Sequence, residues 1–420
     1  MNVHVRPPRK PTAVEEALAV AFEAQVDNLP GTDAVAETRR SAMAAFERDG
    51  LPTRRVETWH YTDLRTALRE LGGNAASDGA DNAPLVANAA TCSLANVGAT
   101  ANLPDGLAVE AMRDRWAAGT VFSAPRRAYD TIGQLNGAFA DGGAVIRIEP
   151  EASVERPFEL QASPSAGASH FRNLIEVGSN AKATLIERHA DGEDSLASTV
   201  TDVTVGEGAE LLYVVAQERD DAGKHLAQLN FGLGAGAKLT LLMLQMGAKV
   251  ARHEINVDVL GEGADFQLRG VNLLGGDRLT DVTMVVSHLV PNTTSEEVLR
   301  NVGTGSGRGV FQGQIRVAQV AQKTDAKMSC NTLLLSDEAE FAAKPELEIF
   351  ADDVACGHGA TVDDLDPNHQ FYLMSRGIPE KAANALLIKG FVDEMLEVVE
   401  DEDLAEALEA SIDRWLERNT

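Results

Sequence analysis

Gly178-Ser-Asn-Ala181, Gly206-Glu-Gly-Ala209, Gly234-Ala-Gly-Ala237 and Gly261-Glu-Gly-Ala264 are four copies of one tetrad, spaced 28, 28 and 27 residues apart. A fixed period in this range marks a chain that stacks short units on one another. Two residues past each Ala stand Ala183, Leu211, Leu239 and Phe266, and two further on stand Leu185, Tyr213, Leu241 and Leu268. Ahead of three of the tetrads, Val203 and Val205, Phe231 and Leu233, and Val257 and Val259 alternate in the same way. Alternation by two is the strand period, because successive side chains point to opposite faces. Each repeat therefore reads strand, Gly turn, strand. Stacked about 4.8 Å apart, equivalent apolar residues would form ladders inside one coil. Gly is expected at the corner because it accepts positive φ. The pattern points to a β-helix, parallel in sense; an antiparallel sandwich with evenly spaced hairpins is the alternative.

Working outward, strand patterning continues on both sides. Phe158 and Leu160, and 174–177, alternate before the first tetrad, and the solenoid is expected to open at the strand 142–148. After Gly261 the tetrad lapses, but 282–286, 298–302, 310–317 and 333–335 keep the strand period. Gly303-Thr-Gly-Ser-Gly-Arg-Gly309 lacks the Gly-Lys-Ser/Thr ending of a phosphate loop and reads as a turn. The coil is expected to end near Val362. This divides the chain into residues 1–110, mostly helical with a tail and linker, 111–362, the β-helix, and 363–420, helical again.

The helical ends carry their own signals. Thr12-Ala-Val-Glu15 has the form of a capping box, followed by Val14, Leu18, Phe22 and Val26 at helical spacing. A second helix is predicted over 33–48, stopped by Asp49-Gly50-Leu51-Pro52. The amphipathic segment around Trp59-His60-Tyr61 reads as an anchor onto its own domain, and 77–101 as a weakly structured connection with one or two short strands. A short helix is expected at 130–139. Beyond Pro379, Leu387, Ile388, Phe391, Val392, Met395, Leu396 and Val399 form an apolar stripe, and Leu404, Leu408, Ile412 and Trp415 form another. Two such helices are too small a unit to stand alone. They are expected to pack on each other, on a partner, or as a cap over the last rung.

Composition excludes several functions. The formal net charge of −27 disfavours nucleic acid, whose phosphates would repel the chain. Only 10 of the 37 basic residues are Lys, and a surface this acidic and Lys-poor suits a salt-rich cytoplasm. Three cysteines, Cys92, Cys330 and Cys356, form no disulfide framework. The start of the chain has no apolar run of a signal peptide, and no stretch reaches the length of a membrane span. A cytoplasmic protein is expected.

Chemistry concentrates in Ala351-Asp-Asp-Val-Ala-Cys356-Gly-His358-Gly-Ala-Thr361. Cys356 and His358 are two apart, so on a strand they face the same side. Thiolate and imidazole suit iron or zinc, but two ligands do not close a site. The rest would come from elsewhere in the chain or from a second subunit; an ordinary turn, with His358 held by backbone, is the other reading. Only one of the adjacent acids Asp352 and Asp353 could join the pair. No nucleophilic triad is evident, the remaining histidines show no ligand spacing, and Cys330 reads as buried packing just before a strand. A β-helix polysaccharide lyase or hydrolase using Asp352 and Asp353 is the enzymatic alternative; missing export signals and scarce aromatic residues count against it.

Several stretches resemble one family. These are Glu57-Thr-Trp-His-Tyr-Thr-Asp63, Leu135-Asn-Gly-Ala-Phe139, Phe311-Gln-Gly-Gln-Ile-Arg-Val317, Asn331-Thr-Leu-Leu-Leu-Ser336, Lys344-Pro-Glu-Leu-Glu-Ile349, Cys356-Gly-His-Gly-Ala-Thr361 and Phe371-Tyr-Leu-Met-Ser-Arg-Gly377. They are similar to the SufB/SufD family, scaffold subunits of the SUF iron–sulfur cluster assembly system. Gly359 before Ala360, where the SufB-type pattern carries Glu, points to the SufD-type branch; a SufB-type subunit is the alternative within the family. Gly357 stands where the family usually has Ser.

The resemblance implies a right-handed parallel β-helix between N- and C-terminal helical domains, and a non-catalytic scaffold that helps acquire iron. It implies an edge-to-edge heterodimer with a SufB-like paralogue, with a homodimer also open, and a SufC-like ATPase docked on the C-terminal helices about Leu387, Phe391 and Met395. His358 would be the metal ligand at the subunit interface, with Cys356 beside it. No cofactor is expected to be bound tightly by the chain alone; iron or a nascent cluster would be held transiently in the complex.

Overall fold

The computed structural model describes residues 10–69, 83–100, 102–121, 129–162, 168–190, 195–219 and 222–419. The basic start of the chain, apart from its last residues, lies outside them, as do 77–82 and 101 of the predicted connection; its described part, 83–100, carries one of the expected short strands, Ala90–Ser93.

The strands form two nine-stranded sheets. Sheet I stacks β1 (Ala90–Ser93), β4 (Phe158–Gln161), β6 (Lys182–Ala190), β8 (Glu210–Glu218), β10 (Lys238–Gln245), β12 (Asp265–Leu274), β14 (Thr294–Gly303), β16 (Asp325–Leu334) and β18 (Ala355–Asp363). Sheet II stacks β2 (Leu107–Ala111), β3 (Ala144–Ile148), β5 (Ser169–Val177), β7 (Leu196–Val205), β9 (Lys224–Leu233), β11 (Val250–Val259), β13 (Leu279–His288), β15 (Arg308–Val317) and β17 (Glu340–Ile349). From β3 onward the chain alternates between the sheets, and neighbours within a sheet pair in parallel register. Only β2 runs antiparallel to its neighbour β3. This is a parallel β-helix and excludes the sandwich. It opens earlier than residue 142, because β1 already pairs with β4.

The tetrads do not work quite as expected. Positive φ falls on their third residue, at Asn180, Gly208, Gly236 and Gly263, with φ of 55°, 65°, 62° and 74°. The first glycine is required for a different reason. A Cβ on Gly261 would stand 2.0 Å from the backbone nitrogen of Ala235 in the rung below, and one on Gly178 would stand 2.5 Å from that of Pro150. The fourth residue, Ala181, Ala209, Ala237 or Ala264, turns inward and is buried.

Inside the coil, like residues stack on like. Leu185, Tyr213, Leu241 and Leu268 occupy successive rungs in register, as do Val203, Phe231, Val257 and Val286 of sheet II. All belong to one continuous apolar core. Each sheet also has a buried outer face. Helices α1 (Ala13–Gln25), α2 (Asp33–Asp49) and α5 (Thr131–Phe139) cover Leu196, Val200 and Leu226 of sheet II. The capping box forms: Glu15 N–H donates to Thr12 Oγ1 at 3.2 Å and Thr12 N–H donates to Glu15 Oε2 at 2.6 Å. Two shorter helices, α3 (Leu64–Ala67) and α4 (Met112–Ala117), complete this half. The Trp59 segment is the anchor predicted, with Trp59 fully buried.

The C-terminal helices are three. Two were expected from periodicity; the third, α6 (Pro367–Ser375), is too short and too exposed to show an apolar stripe, and is started by Asp366, which caps Asn368 N–H. Pro379 is the N-cap of α7 (Glu380–Asp393) rather than its first-turn residue, and α8 (Glu402–Asn419) follows. Helices α7 and α8 lie along the flank of sheet I, where Ile388, Val392, Leu408 and Ile412 pack on Leu242, Leu244, Val271 and Leu273. They do not cap the last rung. That role would waste their apolar faces, because the outer face of sheet I offers a longer apolar surface.

Candidate functional site

The last rung is what the flanking helices leave open. Strand β18 ends sheet I and β17 ends sheet II, so each has one backbone edge with no neighbouring strand among the described residues. From Ala355 to Asp363 no residue is fully buried, whereas the four residues of β1 at the opposite end alternate between buried and half-buried. In β17, Pro345 is tolerated because an edge strand needs no N–H on its free side.

Register fixes where Cys356 and His358 point. Cys356 sits over Ala326 and His358 over Met328, and both of those side chains belong to the interior core. The two residues therefore share the inward side of the final rung, as their spacing predicted. His358 is exposed, while Cys356 is half-buried and packs against the core. Burial, with smaller contributions from Asp325 and Glu297, pushes the Cys356 thiol up despite a backbone hydrogen bond at Ala326. Metal binding there would have to displace its proton. Among the described residues no three His, Cys, Asp or Glu side chains gather closely enough to hold a metal ion.

The other cysteines are deeper. Cys330 lies within β16 rather than before a strand; it is fully buried and its thiol is pushed up to about 12 by burial. Burial raises Cys92 too. Asp353 forms an ion pair with Lys323 at an exposed turn, and Asp352 is exposed beside it.

On the C-terminal helices, Met395 turns inward and is buried against sheet I, while Leu387 and Phe391 are half-buried. Arg300 stacks over the Phe391 ring at 5.3 Å. The large apolar side chains that face outward are Phe371, Tyr372 and Met374 of α6 and Leu386 of α7. Sequence periodicity passed over α6 because it has no buried face. Between the last rungs and α7 lies a cleft of about 720 Å³, lined by Ser336, Asp337, Asp364, Lys381 and Asn384 among others.

A second polar cluster is enclosed in the coil. His189 of β6, His225 of β9 and His253 of β11 are fully buried and point inward. The ring centroids of His189 and His225 are 4.1 Å apart, and those of His225 and His253 are 5.1 Å apart. Glu187 Oε1 accepts from His189 Nε2 at 2.8 Å, and its Oε2 accepts from Thr201 Oγ1 at 2.9 Å and from the Tyr213 hydroxyl. Burial opposes ionisation of Glu187, but these hydrogen bonds and the His189 ring outweigh it and hold the carboxyl below its ordinary range. Burial lowers His225 well below its usual value and His253 to about 3. Scattered in sequence, these histidines are gathered by the stacking. The one available signal was the spacing of 28 between His225 and His253, a single turn of the repeat.

Comparison with known proteins agrees with this architecture. The family model for the SUF system FeS cluster assembly SufBD core domain matches residues 159–391, and that for the SufBD protein N-terminal region matches residues 18–78. The chain is 28% identical over 401 residues to the iron–sulfur cluster assembly protein SufD of Escherichia coli K12, covering 90% of this chain and 94% of that one. It is 26% identical over 284 residues to the SufBD family protein slr0076 of Synechocystis, covering 64% and 63% of the two chains. It is 28% identical over 283 residues to the chloroplastic protein ABCI7 of Arabidopsis thaliana, covering 64% and 59%. The core match takes in most of the β-helix, the exposed rung with His358 and most of α7; the chain belongs to the SufB/SufD family of iron–sulfur cluster assembly proteins.

Proposed function

We propose that the chain is a SufD-type, non-catalytic scaffold subunit of the cytoplasm. It would pair through its last rung with a SufB-like paralogue, and alone it would form a homodimer by the same edge. His358 is the residue it offers to iron or to a nascent cluster, with Cys356 as an adjacent thiol and the missing ligands supplied across the interface. The observation that carries this reading is an exposed imidazole on an uncovered edge strand. An incomplete ligand set suits a cargo that must leave again, since a closed four-ligand site would retain it. A SufC-like ATPase would dock on the outward side of α6 and α7.

The test is co-expression with the SufB-like and SufC-like partners, comparing wild type with His358→Ala. The expected result is an intact complex by size-exclusion chromatography that has lost cluster absorption and no longer matures an apoprotein. Unchanged cluster transfer would remove His358 from the site.

A further inference from the structure

A file of polar side chains runs up the inside of sheet I. His189, Gln217, Gln245, Asn272, Asn301 and Thr332 stand in register on successive strands of that sheet, and all are buried. Gln217, Gln245 and Asn272 lie an even number of residues past Tyr213, Leu241 and Leu268, so they share the inward face of the core. The upper part of the file is closed by direct bonds. Asn272 Nδ2 donates to Asn301 Oδ1 at 2.7 Å, and Asn301 Nδ2 donates to Thr332 Oγ1 at 3.1 Å. Lower down, Gln217 is held by the backbone of Gly247. The middle is different. Gln245 Oε1 and Nε2, Asn272 Oδ1, His189 Nδ1 and, on the facing sheet, His225 Nδ1 and both ring nitrogens of His253 have no hydrogen-bond partner within the protein. Each buried polar atom left so costs about 1–3 kcal/mol. Together they would offset much of the roughly 5–15 kcal/mol that holds a domain folded.

The unmatched atoms are of both kinds. Burial keeps the His225 and His253 rings neutral, and a neutral imidazole presents one N–H and one lone pair. Gln245 presents an amino group and a carbonyl oxygen whichever way its amide is turned. A cation would meet those N–H groups and the like charge of Arg219 beside His225. An anion would meet the Glu187 carboxylate and the carbonyl oxygens of Gln245 and Asn272. Water donates and accepts at once, and matches both. Small residues leave room for it: Ala197, Ala227 and Ala251 stand in register with the His225 and His253 rings, buried but outside the apolar core. We propose that the coil encloses a file of about two or three ordered water molecules, held by Gln245, Asn272 and the three histidine rings, at the usual three or so hydrogen bonds per buried water. The bonds from Asn272 through Asn301 to Thr332 extend this path towards the open rung, where Thr332 lies in register with Val362 of β18. The file stands independently of any role of His358.

Crystals of the full-length chain that diffract well enough to show ordered water give the first test. The expected result is separate density peaks, without anomalous signal, within hydrogen-bond distance of Gln245 and of a ring nitrogen of His253. Direct bonds between these side chains with no such peaks, or a peak with the anomalous signal of a metal ion, overturn the proposal. In solution, oxygen-17 relaxation dispersion of water counts the internal molecules that exchange slowly. Gln245→Leu with His253→Leu replaces four of the unmatched atoms by apolar groups and should lower that count by about one or two. An equal count in the variant refutes the file. Should the variant not fold, wild type labelled with ¹⁵N-histidine decides. Transfer of magnetisation between water and the ring N–H of His253 supports the file, and a ring signal without such transfer refutes it.

Discussion

The guanidinium of Arg252 lies 3.7 Å from the ring centroid of Trp59, and both residues are fully buried. Arg252 also pairs with Asp281 at 2.5 Å and Glu254 at 3.0 Å, and donates to the carbonyl of Thr58 at 2.7 Å. One cation thus joins the N-terminal segment to two rungs of sheet II. Lys344 of the last rung reaches the same segment at Glu57, at 2.5 Å.

Replacing Arg252 by Ala leaves Asp281 and Glu254 buried without that cation. Removing one partner of a buried ion pair costs about 3–5 kcal/mol. Urea denaturation should report a loss of this size, together with earlier proteolysis around Trp59.

The two glycine positions of the tetrad should respond differently. Gly261→Ala drives a methyl into the rung below and should cost about 3 kcal/mol, the upper range for overpacking. Gly236→Ala meets nothing nearer than 4.0 Å, so only its φ of 62° opposes the change. That costs about 1 kcal/mol. Thermal unfolding of the two variants in parallel checks the order.

Glu297 is fully buried within β14, and burial pushes its carboxyl up to about 8, against a smaller opposing effect of Ser295. Its folded value is raised above the ordinary 4.5, so between pH 4.5 and about 8 the folded chain holds a proton that the unfolded chain has released. Stability therefore falls as pH rises through that window. Glu297→Gln should gain about 4 kcal/mol near pH 8, and the gain should vanish towards pH 4.5. Urea midpoints at the two pH values give the measurement.

The proposed docking of a SufC-like ATPase is best probed on α6. Deleting 365–420 would uncover Leu242, Leu244 and Val271 on sheet I, so loss of binding would be confounded by aggregation. Phe371→Ser with Leu386→Ser changes only exposed side chains and should leave the melting temperature within about 2 °C. Pull-down of the ATPase should fall at least tenfold; undiminished recovery would place docking elsewhere.

The coil was legible because its repeat is written twice, in tetrads and in alternation. Even after the tetrads lapse, the period of two survives in β13 to β16. The capping box was legible because Thr12 and Glu15 act within one turn. What escaped depends on distance. Nothing local says that α7 lies on the flank of sheet I rather than over its end; that is settled by the Leu242 and Val271 face some 120–150 residues earlier. Nothing local joins His189 to His225 either, because they stand on different sheets and the residue one turn beyond His189 is Gln217. The pair Cys356 and His358 could be placed on one side of a strand because two residues suffice to fix parity.

The two ends of the solenoid are finished differently. One is stoppered by a strand running backwards and by a four-residue rung; the other stops in mid-pattern with its backbone bare. A coil raw at both ends would polymerise into a filament. If, as proposed, only the exposed last rung pairs with a second chain, growth would halt at two, and whatever is gathered at the junction would be gathered once.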